Sequence, residues 1–287
     1  MSVWVSSGAF RTNTIKGVID EALRLGISNL ELSSGLKHDP DSISNIQQGL
    51  NQGLNFLIHN YFPAPLEPKV LNLSASTQGE LDWSINHCKK AIDLTVLVDC
   101  PFYSLHAGYA APLTASLLGR PKAQAAAMKE VHIDRERAYD TMLNAVQDVA
   151  DYANKCGKQL LIENNVISPV YLRELPQNPL LMTDADEIEK FMSEVNRNNV
   201  RFLIDVGHAR VSATALEFDP YDFMERTKPF TSALHLSDND AQEDQNLTFN
   251  RRSWFWNLLD QYAGLPCVVE AYSLNDEEIK NATSLLS

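Results

Sequence analysis

Short apolar, β-rich runs alternate along this chain with longer stretches whose apolar residues recur at the helical period. The runs at 3–6, 29–32, 55–59, 102–106, 159–163, 201–205, 231–236 and 266–270 predict strands. Between them, residues 13–25 place Ile15, Val18, Ile19, Ala22, Leu23 and Leu25 on one face, and residues 134–156 repeat Ala138, Met142, Ala145, Val146, Val149 and Ala153. Shorter helical patterns cover 186–196, 220–227, 252–262 and 275–286. Gly26, Gly53, Gly157 and the Gly264-Leu265-Pro266 turn stand where a helix stops and a strand begins. Eight strand–helix alternations imply parallel strands joined by crossover helices. The simplest closure is an α/β fold of the (β/α)8 TIM-barrel type, a single domain over residues 1–287. A doubly wound open sheet is the competing arrangement.

Composition narrows this picture. The 287 residues are 44% hydrophobic, enough for one large core, and a barrel of this kind takes ~250 residues. Glycine and proline are scattered, with no linker or low-complexity block. The N-terminal MSVWVSSGAF lacks a basic region followed by an apolar run, and no stretch is apolar for ~18 residues, so neither a signal peptide nor a membrane span is expected. Cys88, Cys100, Cys156 and Cys267 are far apart and form no C-x-x-C pair, which suits reduced thiols in the cytoplasm. The net charge of −13, from 37 acidic and 24 basic residues without a basic stripe, opposes binding to a polyanion. Nucleic acid is therefore not the expected partner.

The chemistry is concentrated where strands end. The third run closes on His59, the fourth on His106, the fifth on Glu163, the sixth on Asp205 with His208 three residues on, the seventh on His235 and Asp238, and the eighth on Glu270. Taken singly, each reads as a packing histidine or a solvated rim carboxylate. Together, on the C-terminal face of a barrel, they would crowd like charges that cannot all stay ionised unaided. A divalent cation removes that cost, and mixed imidazole and carboxylate donors suit zinc, manganese, cobalt or iron better than calcium.

Glu163-Asn164, Asp205-x-x-His208, His235-Leu-x-Asp238 and Glu270, in that order and each after a predicted strand, make the chain from about Phe56 to Glu270 resemble the xylose-isomerase-like barrels. That superfamily holds metal-dependent sugar and sugar-phosphate isomerases and epimerases together with nucleases of the endonuclease IV type. The resemblance implies one divalent metal ion (Mn2+, Zn2+, Co2+ or Mg2+) held by Glu163, Asp205, His235 and Glu270. It also implies that Glu163 and Glu270 are the catalytic pair, moving a proton through a metal-bound cis-enediolate. His59, His106, His208, Asp238 and Arg252 become substrate-binding or second-metal candidates. A homodimer is compatible with the family.

The nuclease branch, acting with zinc on abasic-site DNA, needs an Asp-x-His after the seventh strand. Here Asp244-Gln245-Asn246 puts an amide in place of the imidazole and leaves Asp244 without a role. A metal-binding barrel without catalysis is a third reading, and two opposed carboxylates, Glu163 and Glu270, are superfluous to it. The connection at 107–133 is long for a βα loop, usually ~2–6 residues, and reads either as a lid or as a peripheral helical insertion. Arg251 and Arg252, with Arg210 behind them, are candidates for a substrate phosphate or carboxylate, while Trp254 and Trp256 read as packing residues.

Overall fold

The computed structural model describes residues 2–117, 120–128, 131–175 and 177–286. Its helices begin where side-chain oxygens can satisfy the first N–H groups. Thr14 caps α1 (Ile15–Leu25) by accepting from Gly17 N–H, and Gly26 ends it in the left-handed region at φ 73°. Only glycine takes that turn without strain, and the chain passes from it into β2 (Asn29–Leu32). Thr77, Asp134 and Asp184 cap α3 (Gln78–Leu97), α5 (Arg135–Lys155) and α7 (Ala185–Glu194) in the same way.

The strands β1 (Ser2–Ser6), β2, β3 (Asn55–His59), β4 (Phe102–His106), β5 (Gln159–Glu163), β6 (Val200–Asp205), β7 (Thr231–Leu236) and β8 (Pro266–Val269) pair in sequence order as a closed parallel barrel. Closure is made by β1 on β8, from Ser2 opposite Pro266 to Val5 opposite Val269. The (β/α)8 expectation is met, and the open sheet is excluded. Every strand agrees with its expected span to within a residue or so at each end.

Helices were less evenly legible. The patterns at 13–25, 134–156, 186–196, 220–227 and 275–286 correspond to α1, α5, α7, α9 (Pro220–Thr227) and α10 (Asp276–Leu286). α2 (Ser42–Asn51), α6 (Pro169–Glu174), α8 (Val206–Leu216) and the long α3 had no expectation, while α4 (Pro121–Met128) falls in the 107–133 segment, where a helical insertion is one of the two readings. α3 buries Ser84, His87 and Thr95 beside its apolar residues, which blurs the period. α8 starts directly after Asp205 and is buried from Val206 to Ala209, so it shows no polar face to contrast with an apolar one. The expected helix at 252–262 is instead a turn followed by a 3-10 helix, Trp256–Tyr262. Here Trp254 packs on Tyr221 while Phe255 turns inward to Phe249, and these tertiary contacts override the local period.

The segment at 107–133 contains α4 and is docked rather than free. Tyr109, Ala111, Leu113 and Met128 form a second apolar cluster with Ile167, Tyr171, Leu175 and Leu180 of the α6 region. Residues 118, 119, 129 and 130 of this segment lie outside the described ones. Among the described residues no helix is long and apolar enough to cross a membrane.

His87 of α3 stacks on Trp83 at 5.1 Å between ring centroids and is buried. Burial, with a smaller push from Lys90 and partial relief from the Asn60 backbone, drives its imidazole down to about 4. The folded state therefore resists protonating it. That contribution is present above the unfolded value of ~6.5 and is lost as pH falls from there through 4, about 3 kcal/mol in all. Urea unfolding at pH 7 and pH 4 should show His87→Phe losing less stability on acidification than the wild type by roughly that amount.

Candidate active site

Register places the strand-end residues before any side-chain detail is considered. His106 pairs with Glu163 across β4 and β5, Asp205 with His235 across β6 and β7, and His59 with Ser104 across β3 and β4. Partners in a parallel ladder point to the same face, here the barrel interior at its C-terminal mouth.

The side chains converge. Ligand-type atoms of Glu163, Asp205, His235 and Glu270 all lie within 4.8 Å of one another, and all four residues are buried. Glu163 stands at the centre: its Oε1 is 3.4 Å from His235 Nδ1 and 3.5 Å from His208 Nδ1, and its Oε2 is 3.4 Å from His59 Nε2 and 3.8 Å from His106 Nε2. Glu270 Oε2 lies 2.6 Å from His235 Nδ1, and Tyr272 O–H donates to Glu270 Oε1 at 3.4 Å. Asp205 has two jobs. Its Oδ1 accepts the His208 N–H at 2.7 Å and so caps α8, while its Oδ2 faces the cluster. The three-residue spacing of Asp205 and His208 is thus the geometry of a helix start. Gly207 between them is required by close approach, since a Cβ there would lie 2.4 Å from Ser237 Oγ.

Asn164 braces the rim. Its side chain donates to the Asp205 carbonyl and accepts from the Asp205 N–H, at 3.0 and 2.9 Å, and its own carbonyl accepts from His208 Nδ1 at 2.8 Å. That bond leaves His208 Nε2 directed toward Asp244 Oδ2, 3.4 Å away.

Fit to a cation can be judged from what these atoms lack. Both oxygens of Glu163, Asp205 Oδ2 and His235 Nδ1 are buried with no hydrogen-bond partner among the described residues. A buried carboxylate oxygen without a hydrogen bond is costly, and three such oxygens with the His235 nitrogen beside them form a donor set for a divalent ion. Three carboxylates and one imidazole fit Mn2+, Zn2+ or Co2+ well.

The electrostatics report the same crowding. Burial would raise the Glu163 carboxyl, but His106, His235 and His59 outweigh it and hold it well below the usual range. Burial also drives His106 itself down to about 4, whereas His235 and His208, both beside Glu163, are held despite burial well above the ordinary histidine value by the surrounding carboxylates. Despite its burial, His235 is held well above the ordinary histidine value by Glu270, Glu31 and Glu163. Glu270, buried but facing His235, falls to about 2. Asp205 goes the other way. Burial outweighs His208, and with Glu270, Glu163 and Asp244 nearby its carboxyl rises well above the usual range.

Two expected site residues are not brought to the cluster. Asp238 is engaged elsewhere: its oxygens accept from Arg210 and Ser253 at 2.6 Å each, and its backbone pairs with Leu247 in both directions. The same bond ties Nη1 of Arg210, another anion-binding candidate, to Asp238. Arg252 is exposed, and its backbone N–H donates to Asn250 Oδ1. Conversely, Glu31, Asn164 and Asp244 belong to the constellation without having been assigned a role from sequence.

A cavity of about 600 Å³ adjoins the mouth between the β3–α3 and β4–α5 connections, lined by Lys69, Ser74, Trp83, His132 and Arg137 among others. None of the clustered carboxylates or imidazoles lines it, and the chemistry is placed by the cluster.

A family model described as a xylose isomerase-like TIM barrel matches residues 19–283. Among solved structures, a D-tagatose 3-epimerase-like protein superposes with TM-score 0.74 at 14% identity, covering 100% of this chain and 97% of that one. A putative xylose isomerase from Rhodospirillum rubrum gives 0.69 at 18% identity, with the same coverages. A D-psicose 3-epimerase from Clostridium cellulolyticum, solved with D-tagatose, gives 0.66 at 14% identity, again covering 100% and 97%. At these identities the likeness is one of fold. No curated protein matches the sequence.

Proposed function

The chain belongs to the xylose isomerase-like TIM-barrel family, and from that premise we propose that it is a divalent-metal-dependent isomerase or epimerase acting on a sugar or sugar phosphate. The observation that carries this reading is the convergence of Glu163, Asp205, His235 and Glu270 within 4.8 Å, with buried oxygens of Glu163 and Asp205 unpartnered. Solved structures of the same fold bear the names of sugar epimerases, which favours this branch.

Glu163, Asp205, His235 and Glu270 would hold the ion. When bound, a divalent cation supplies the Lewis acidity that acidifies a C–H between a carbonyl and a hydroxyl. Glu163 would then remove that proton, and Glu270, ionised at rest, would return one taken up with the incoming substrate, Glu163 releasing its own to solvent as product leaves. They approach from separated strands, with β6 and β7 between them. Proton removal gives an enediolate, and return from the opposite side inverts the carbon. Burial of both carboxylates excludes the water that would quench it. His208, fixed by the Asn164 carbonyl, and His106, the more open imidazole at 24% exposure, orient substrate hydroxyls. His59, its Nδ1 bonded to Ser104, adds a third such group. The four cysteines form no disulfide, in keeping with a cytoplasmic enzyme.

The test is proton exchange. Loaded with Mn2+, Co2+ or Zn2+ and incubated in deuterated water with a panel of ketoses, ketose phosphates and inososes, the protein should incorporate deuterium at one carbon of a substrate and epimerise or isomerise it. Elemental analysis should find about one ion per chain. Full turnover by chelated, metal-free protein would overturn the proposal, as would nicking of an abasic-site duplex at physiological salt with no sugar turned over.

A further inference from the structure

We propose that Glu31 is a positioning residue that fixes the tautomer of His235 and so decides which ring nitrogen faces the metal centre; this rests on the metal-dependent reading above. Glu31 lies inside β2 rather than at its end. Its register opposite Ser6 of β1 and Leu57 of β3 puts it in the barrel interior, one layer deeper than His59. The residue is fully buried.

Its Oε2 is 3.0 Å from His235 Nε2, in hydrogen-bonding geometry. With the carboxylate oxygen as acceptor, the proton of this bond sits on Nε2. In the neutral ring that leaves the lone pair on Nδ1. Nδ1 is the atom lying 2.6 Å from Glu270 and 3.4 Å from Glu163, and it makes no hydrogen bond. Without Glu31, Nε2–H would lose its acceptor. Nδ1 would then carry the proton toward the carboxylates and present a hydrogen, not a lone pair, to a cation.

Two further observations distinguish this role from filling space. Glu31 Oε1 has no hydrogen-bond partner among the described residues, so the carboxylate is not there to satisfy a local backbone. Barrel interiors at this depth are ordinarily packed with branched apolar side chains, as Leu57 beside it is. A buried carboxylate in that position carries a desolvation cost that an alkyl group would not. An outer carboxylate that orients a histidine ligand is a recurrent device for raising its basicity and fixing its ring, and its removal typically costs 10–100-fold in metal affinity.

Glu31, His59 and His235 also lie within 4.8 Å of one another, so a second ion between them is the rival arrangement. It would need His235 Nε2 as a lone pair and is therefore mutually exclusive with the hydrogen bond.

The experiment uses the full chain, Zn2+ and the variants Glu31→Leu and Glu31→Gln. Zinc affinity is read by chelator competition, and the His235 nitrogen bound to zinc by long-range proton–nitrogen spectra. The wild type should bind one ion through Nδ1 with Nε2 protonated. Glu31→Leu should bind 10–100-fold more weakly and lose that single-tautomer signature. Glu31→Gln retains an acceptor of the same shape and should fall between the two, and it carries the test if the leucine variant fails to fold. Wild-type affinity and spectra in the variants would overturn the inference. So would a second ion in the wild type that Glu31→Leu alone removes. Failure of the wild type to bind zinc at all would instead remove the metal-dependent reading. No readout requires turnover, so the two failures are distinguishable.

Discussion

Glu163→Gln and Glu270→Gln are each expected to lower turnover by about 10⁴-fold or more, the top of the range for a positioned acid or base, because each change also removes a charge facing the cation. The amides keep size and shape, and neither position supports a helix cap or strand pairing that the substitution would break. Far-UV circular dichroism should therefore be unchanged. The informative measurement is exchange of the substrate's carbon-bound proton with deuterated water, followed alongside product formation. Conversion should be lost in both, and exchange should fall in Glu163→Gln, which lacks the base that removes the proton. If Glu163→Gln exchanges that proton at the wild-type rate, Glu163 is not that base, whatever happens to conversion. A fall in exchange without loss of bound metal would separate the proton-transfer role from the ligand role.

The strands were legible because most are apolar runs with an abrupt polar end, and that same abruptness exposed most of the site. His59, His106, Glu163, Asp205, His208, His235 and Glu270 each sit at or just beyond a strand end, and the structure gathers all of them at one mouth. Glu31 escaped for a physical reason. In Asn29-Leu30-Glu31-Leu32 the polar residues alternate with leucines, the pattern of a strand with one wet face. In a closed barrel the leucines face the helices and the polar side turns into the interior, so the clue was inverted rather than absent. Asp238 misled in the opposite sense. It follows β7 at the right place, but the chain after it folds back, and the pairing of Asp238 with Leu247 gives its carboxylate to Arg210 and Ser253 instead. Sequence position marks where a strand delivers a residue, and the loop beyond decides which way it faces.

Asp205→Asn should change the sign of its effect with metal. In the metal-free protein Asp205 is a buried carboxyl raised well above its usual range by burial, with Glu270, Glu163 and Asp244 adding to the strain against His208. A raised folded value means that this group favours folding below its unfolded value of ~3.9 and loses that contribution as pH climbs through the folded one. Asparagine does not titrate. Its oxygen can keep the cap on the His208 N–H, since Asn and Asp are about equal at that position. Its amide also offers a donor where Asp205 Oδ2 has no partner. Metal-free Asp205→Asn is therefore expected to unfold at a higher temperature than the wild type at pH 7–8, by a few degrees for each kcal/mol gained, and the gap should close toward pH 4. Saturating Zn2+ should reverse the order. At a thousand times its dissociation constant an ion that binds only the folded state adds ~4 kcal/mol, and the wild type collects this while the variant, missing one anionic donor, does not. Thermal unfolding of both proteins with and without zinc, at pH 4.5 and 7.5, reads all of these signs. A variant less stable than the wild type in both metal states at pH 7.5 would mean that Asp205 is tolerated for reasons other than a cation among these carboxylates.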